Sequence, residues 1–345
     1  MAPRIGILSF AHYHANFWAE ALRDSPDATL VGIWDDDAAR GQAAAEQYGT
    51  RFEPDIDALL AACDGVAVCS ATLHHADLIE RAAAAGRHIL CEKPLATTLA
   101  DCDRIEAAVR RAGVTFMQSF PKRFDPVNHE VRRLVRDGEL GQIMLMRVRH
   151  GHLYGLGPGH GMPWCEDPEL SGGGALLDEG VHGADFIRWM FGPPESVMAM
   201  ISHVALGHPL ENLGLAVFRY PDGLLCELAA STTFAAGDNS IELFGTKGAA
   251  VLSGVDLASR DVTEGAFLKV CRLDGSAERH WQVSPIVPRF KTGGFHHQNA
   301  LQFVEALKTS SPPPITMEEG RGALAMILAA YRSARSGRVE PVSGT

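Results

Sequence analysis

Asp178, His182 and Asp185 recur at i, i+4 and i+7 within residues 176–191, whose other positions include Leu176, Leu177, Val181, Ala184, Phe186, Ile187 and Met190. On a helix over 176–191 that spacing lines the three polar side chains along one face. A polar stripe on a largely buried helix requires partners, and two readings follow. One is a core histidine satisfied by a neighbouring carboxylate. The other is an imidazole that accepts and returns a proton near neutral pH, as its unperturbed pKa of about 6.5 allows. Asp185 reads as structural, paired with Arg188. A second chemical signal is Cys91-Glu92-Lys93-Pro94, directly after a short apolar run. If that run is a parallel strand, Lys93 stands at the carboxyl edge of the sheet, where ligands of open α/β folds bind.

A third signal lies at the amino terminus. A strand over 4–8, a turn, a helix over 15–23 and a strand over 28–34 ending in Asp35-Asp36-Asp37 make the layout of a dinucleotide site, with Asp35 as the acid that accepts ribose hydroxyls. The expected G-x-G-x-x-G is absent, because Ser9, Ala11 and His14 occupy its glycine positions. Ala11 adds a methyl group where the backbone should approach pyrophosphate, and His14 adds a ring at the helix–strand contact. The helix N-terminus still offers amides and a dipole to a phosphate, and Ser9 offers a hydroxyl. The bland alternative is a strand-turn-helix that binds nothing. A carboxylate at position 35, reinforced by Asp36 and Asp37, repels a 2'-phosphate, so NAD is favoured over NADP.

These residues need a frame. Through residue 119 short apolar runs alternate with helical stretches: strands over 65–69, 88–91 and 114–119, and helices over 38–48, 56–62, 77–85 and 99–111. Such alternation requires a parallel sheet with crossover helices. After Pro121 the pattern changes. A helix over 127–136 precedes a Gly-, Pro- and His-rich excursion over 150–174. Extended runs then follow over 198–204, 214–220, 224–231, 240–244, 249–253, 267–273 and 280–283, separated by turns such as Pro221-Asp222-Gly223 and Asp274-Gly275. That is an antiparallel sheet, flanked by helices over 298–308 and 320–335. The expected fold is α/β: a doubly wound parallel-sheet domain over 1–122, and an α+β domain over 123–345 with a large, mostly antiparallel sheet.

Composition bounds the remaining possibilities. The 345 residues are 46% hydrophobic and 21% charged, enough for two packed cores. A formal charge of −11 disfavours nucleic acid and anionic membranes as partners. The longest apolar stretch, 323–331, is half a membrane span. The amino terminus does not resemble a secretory signal. Seven cysteines, an odd number without a C-x-x-C pair, suit a reducing compartment, so the expected location is cytoplasmic. His12, His14, His74, His75, His150, His152, His160, His296 and His297 fall in neither H-E-x-x-H nor finger spacing, and no metal site is expected.

Glu92-Lys93-Pro94, preceded by Gly86-Arg87-His88, resembles the signature of the Gfo/Idh/MocA oxidoreductases. The resemblance extends over nearly the whole chain. It includes Thr72 and His75, Arg123-Phe124-Asp125-Pro126, the run from Gly172-Gly173-Gly174 through Asp178 to His182, and Tyr331-Arg332-Ser333-Ala334. It implies a Rossmann domain and a lysine, Lys93, beside the nicotinamide and the reacting hydroxyl, with a cis bond before Pro94. It further implies an NAD-dependent dehydrogenase, with NADP left open, acting on a secondary hydroxyl of a sugar, cyclic polyol or sugar derivative. In that reading His182 is the general base, Asp178 binds the hydroxyl or orients the imidazole, and Lys93 stabilises the developing alkoxide. The cofactor contacts implied are Ser9, Phe10, Ala11, His12, His14, Asp35, Ser70, Thr72, His75, Glu92, Lys93, Arg123 and Trp164, with Tyr154 and Trp164 also open to a packing role. Homodimers or homotetramers through the second sheet are implied as well. The alternatives are a redox-neutral sugar conversion on a nondissociating cofactor, and a cofactor-binding regulator without turnover.

Overall fold

The computed structural model describes residues 2–152, 154–156, 162–204, 207, 209–234, 240–252, 268–273, 280–286 and 293–343. His160 and the expected turn at Asp274 and Gly275 lie outside the described residues. In chain order the elements are β1 (Arg4–Leu8), α1 (His14–Asp24), β2 (Thr29–Trp34), α2 (Ala38–Tyr48), α3 (Ile56–Ala62), β3 (Gly65–Val68), α4 (His75–Ala84), β4 (His88–Cys91), α5 (Leu99–Ala112) and β5 (Phe116–Gln118). Then come α6 (Pro126–Arg136), β6 (Ile143–Gly151), α7 (Pro168–Ser171), α8 (Ala175–Asp178), α9 (Gly180–Phe191), β7 (Ser196–Ser202), β8 (Leu213–Arg219) and β9 (Leu225–Ser231). The chain closes with β10 (Ser240–Gly245), β11 (Gly248–Leu252), β12 (Leu268–Arg272), β13 (Trp281–Val283), α10 (Gly294–Thr309), α11 (Met317–Ser336) and β14 (Glu340–Pro341).

Two compact units result, one comprising Met1–Phe120, Gly161–Gly172 and Gly293–Arg321, the other Pro121–His160, Gly173–Thr292 and Gly322–Thr345. This differs from a single cut after residue 122. Residues 161–172 and 293–321 follow the break in sequence but pack with the first unit, as α10 does against α1 and β4.

In the first unit a parallel sheet of order β2-β1-β3-β4-β5 places its switch point beside β1. Every residue of β3 is buried, as fits a strand covered on both faces. Its helices are punctuated locally. Asp37 accepts the Ala39 and Arg40 amides to start α2, Thr98 accepts the Asp101 amide to start α5, and Gly49 and Gly113 end those helices at φ +65°.

The second unit holds a nine-stranded sheet, β13-β12-β11-β10-β6-β9-β8-β7-β14, antiparallel except for the β6–β9 pair. Its centre, β6, is absent from the sequence expectation, as is β14. In β6 Met146, Val148 and His150 are buried, whereas Met144, Arg147 and Arg149 are exposed. Arginines on the open face break up the apolar run by which a central strand is usually recognised. Helices α8 and α9 pack on the buried face. The other face exposes Met198, Met200, Leu215, Val217, Leu225 and Phe244. Among the described residues no helix is long and apolar enough to cross a membrane.

Candidate functional site

The dinucleotide-type features gather at the switch point of the first sheet. Ser9 follows β1 at φ +74°, a left-handed conformation that glycine adopts more cheaply. Its hydroxyl compensates by accepting the Ala11 amide and donating to Asp36, each at 3.1 Å. The loop amides expected to be open to phosphate are bonded within the chain. Ser9 and His12 donate to the carbonyls of Trp34 and Cys69, and Phe10 donates to Asp35 at 2.7 Å. Ala11, Tyr13 and His14 donate to side-chain atoms, Ser9 Oγ, Met162 Sδ and His12 Nδ1. Those last three can be released by side-chain rotation alone.

Asp35 is fully covered and is gripped by Arg40 together with the Phe10 and Asp37 amides, so it ties the loop to α2 rather than facing a ribose. The acid that faces open space is Asp36. With Trp34, Ser70, His74, Asp77 and Leu78 it lines a cavity of about 160 Å³. An apolar floor with a carboxylate rim fits the adenosine end of a dinucleotide, and the helix start with its three side-chain-held amides fits the phosphate end.

His14, in the third glycine position, is buried and brings Nδ1 within 3.1 Å of Glu92 Oε1, with its ring 4.2 Å from His12 and 4.0 Å from His296. The ring thus stands among aromatic neighbours beside the Glu92 carboxylate. Burial pushes the Glu92 carboxyl above its ordinary range, against the charges of His12 and Lys93. Lys93 is buried, and the Lys93–Pro94 bond is cis, as the resemblance implies. His75 is a brace. Its ring nitrogens lie 3.0 Å from the Pro94 carbonyl and 3.3 Å from the Ser70 carbonyl, and burial lowers its pKa. Thr72, itself buried, opens the short turn just before it. Trp164 donates from its indole to the Ala11 carbonyl at 2.9 Å and so packs on the loop.

In the second unit the entry to α8 explains the glycine triplet. Glu211 accepts the Gly174 and Leu176 amides, and the Tyr331 hydroxyl donates to Glu211 at 2.6 Å while accepting the Leu177 amide. A Cβ on Gly174 would stand 2.2 Å from the Glu211 carbonyl oxygen. The helix expected over 176–191 is interrupted at Glu179, giving α8 and α9. Asp178 ends the first piece and accepts a hydrogen bond from the Tyr154 hydroxyl. His182 lies in the first turn of α9, 6% exposed, with its ring 5.1 Å from that of His150.

Asp185 is fully buried and accepts from both Nε and Nη2 of Arg123, at 3.0 and 2.6 Å. Arg123 therefore cross-links α9 to the segment before α6. Sequence reasoning also missed Arg40, Glu179, Lys122 and Glu211. Only the spacing of Glu211 to the glycine triplet in the folded chain identifies it, whereas Arg40, one turn into a helix after three acids, was visible.

Residues 4–120 match the family model described as the oxidoreductase family with an NAD-binding Rossmann fold, and residues 128–251 match the GFO/IDH/MocA C-terminal domain. The myo-inositol 2-dehydrogenase of Thermotoga maritima is 27% identical over 99% of this chain and 100% of its own length. The 1,5-anhydro-D-fructose reductase of Ensifer adhaerens is 26% identical over 95% of each. The WlbA dehydrogenase from Bordetella pertussis, solved in complex with NADH and UDP-GlcNAcA, shares the fold at a TM-score of 0.80 and 25% identity over 99% of both chains. With both of its domains matched in order, the chain belongs to the Gfo/Idh/MocA family of NAD-binding oxidoreductases.

Proposed function

We propose that this protein is a dehydrogenase that oxidises a secondary hydroxyl of a sugar, cyclic polyol or sugar derivative. The observation that carries the nucleotide half of this reading is the cavity rimmed by Asp36 at the switch point of the first sheet. The substrate class is supported by the inositol and anhydrofructose enzymes among the relatives. NAD, when bound, supplies the hydride-accepting ring. Trp34, Asp36, Ser70, His74 and Leu78 would hold its adenosine, and the amides of Ala11, Tyr13 and His14 its phosphates. Asp35 and Asp36 carry two negative charges against the one positive charge of Arg40, which favours NAD over NADP.

Among the protein groups, His182 takes the hydroxyl proton, Asp178 binds the hydroxyl with the Tyr154 hydroxyl fixing its orientation, and Lys93 stabilises the developing alkoxide. The exposed apolar face of the second sheet supports assembly into a homodimer or homotetramer. Seven free cysteines support a cytoplasmic location.

The experiment is to follow the absorbance of reduced cofactor with NAD or NADP and a panel of sugars, inositols and sugar acids. Lys93→Ala and His182→Ala are each expected to lower kcat by roughly 100-fold or more while NADH affinity changes little. Unchanged rates in both variants would remove the assignment.

A further inference from the structure

We propose that His150, His152 and Glu179 form a binding site for one divalent transition-metal ion, of which Zn2+ is the type. The two histidines are two residues apart at the end of an extended strand, so their side chains leave the same face of the sheet. That is the face on which α9 packs. Gly151 between them has no room for a side chain, since a Cβ there would stand 2.3 Å from the Ser231 carbonyl oxygen. Glu179 arrives from the interruption between α8 and α9.

One carboxylate oxygen, Glu179 Oε2, lies 3.0 Å from His150 Nε2 and 3.5 Å from His152 Nε2. Ligand atoms bound tetrahedrally to zinc at its usual bond lengths are about 3.3 Å apart. Both histidine nitrogens therefore stand close to a coordinating separation from Glu179 Oε2, and all three donors lie within 4.8 Å of one another. Two imidazoles and a carboxylate leave a coordination position for water or a substrate oxygen.

A second trio, His12, His14 and Glu92, also has its donor atoms within 4.8 Å of one another. There His12 Nδ1 accepts the His14 amide at 3.2 Å, which commits that lone pair and leaves the proton of the neutral ring on Nε2. It is a hydrogen-bonded set and serves as the control. Metal binding at Glu179 stands apart from the dehydrogenase reading; polarisation of a substrate oxygen beside His182 rests on that reading.

The test uses the full chain, stripped with chelator and titrated with Zn2+ by calorimetry and with Co2+ by visible absorption. Saturable binding of one ion per chain is expected, with a Co2+ ligand-field spectrum. Since losing an outer-shell partner alone weakens metal sites about 10- to 100-fold, Glu179→Gln and His152→Ala should each weaken Zn2+ by roughly 100-fold or more. His12→Asn should leave it unchanged. Circular dichroism confirms that each variant is folded, and His152→Ala carries the test if Glu179→Gln is not. The proposal is overturned if wild-type protein binds no ion at millimolar Zn2+, if a folded ligand variant binds as tightly as wild type, or if His12→Asn abolishes binding. The cofactor-reduction assay scores the dehydrogenase reading separately, because a protein that binds Zn2+ but oxidises no polyol fails only that reading.

Discussion

Arg123→Met separates a structural arginine from a cofactor ligand. Asp185 has no exposed surface, and both of its oxygens accept hydrogen bonds from the Arg123 guanidinium, itself 6% exposed. Removing one partner of such a pair strands a charge in a medium that solvates it poorly, at a cost of about 3–5 kcal/mol. Whole proteins are stable by only about 5–15 kcal/mol, so the change is large. For a cooperative unit of about 200 residues each kcal/mol moves the midpoint by about 2–4 °C, which places the expected fall in Tm near 10 °C. Replacing both partners, as in Arg123→Met with Asp185→Leu, removes the stranded charge and should restore most of the loss. Thermal melts by circular dichroism give the stability, and NADH fluorescence titration at a temperature where both proteins are folded gives the affinity. The expected result is a low Tm with unchanged NADH binding. A Tm within 2 °C of wild type together with about tenfold weaker NADH binding, equivalent to about 1.4 kcal/mol, would show that the guanidinium serves the cofactor.

Gly174→Ala should cost about 1–3 kcal/mol in denaturant unfolding, because the new methyl must displace the Glu211 backbone, and should lower kcat through displacement of Asp178. Asp125, fully buried with Oδ2 lacking a partner, has its carboxyl pushed up to about 6 by burial. The folded state therefore holds its proton more tightly than the unfolded chain. The resulting stabilisation is complete below about pH 4 and is lost as pH rises through 6. Relative to Asp125→Asn, wild type should lose up to about 3 kcal/mol between pH 4 and 7, and parallel stability–pH curves would contradict the burial argument. Met200→Lys combined with Val217→Asp charges the open face of the second sheet, and light scattering should then report monomers; an unchanged mass places the interface elsewhere.

The parallel sheet was legible because its strands are short, apolar and spaced by helices with ordinary caps. Motif and spacing mark Lys93, Asp178 and His182 as the residues of the proposed chemistry. What escaped has specific causes. β6 alternates Met, Arg, Val, Arg and His, so one open face disguised a central strand. Arg40 pairs with both Asp35 and Asp36, and the choice between the acids depends on burial, which covers the first and leaves the second open at the cavity. The Arg123–Asp185 pair spans 62 residues, and no local pattern announces a partner at that distance. The His150, His152 and Glu179 trio joins a strand end to a helix interruption, and neither was expected.

Because the first unit is assembled from three separated stretches of chain, the nucleotide half cannot be complete when residue 122 leaves the ribosome. Helix α10 brings Phe303 and Leu307 against β3, where Gly65 leaves them the space. Until that late helix has been synthesised, the early strands carry an uncovered apolar surface. A fragment ending at residue 122 would therefore expose a surface suited to aggregation.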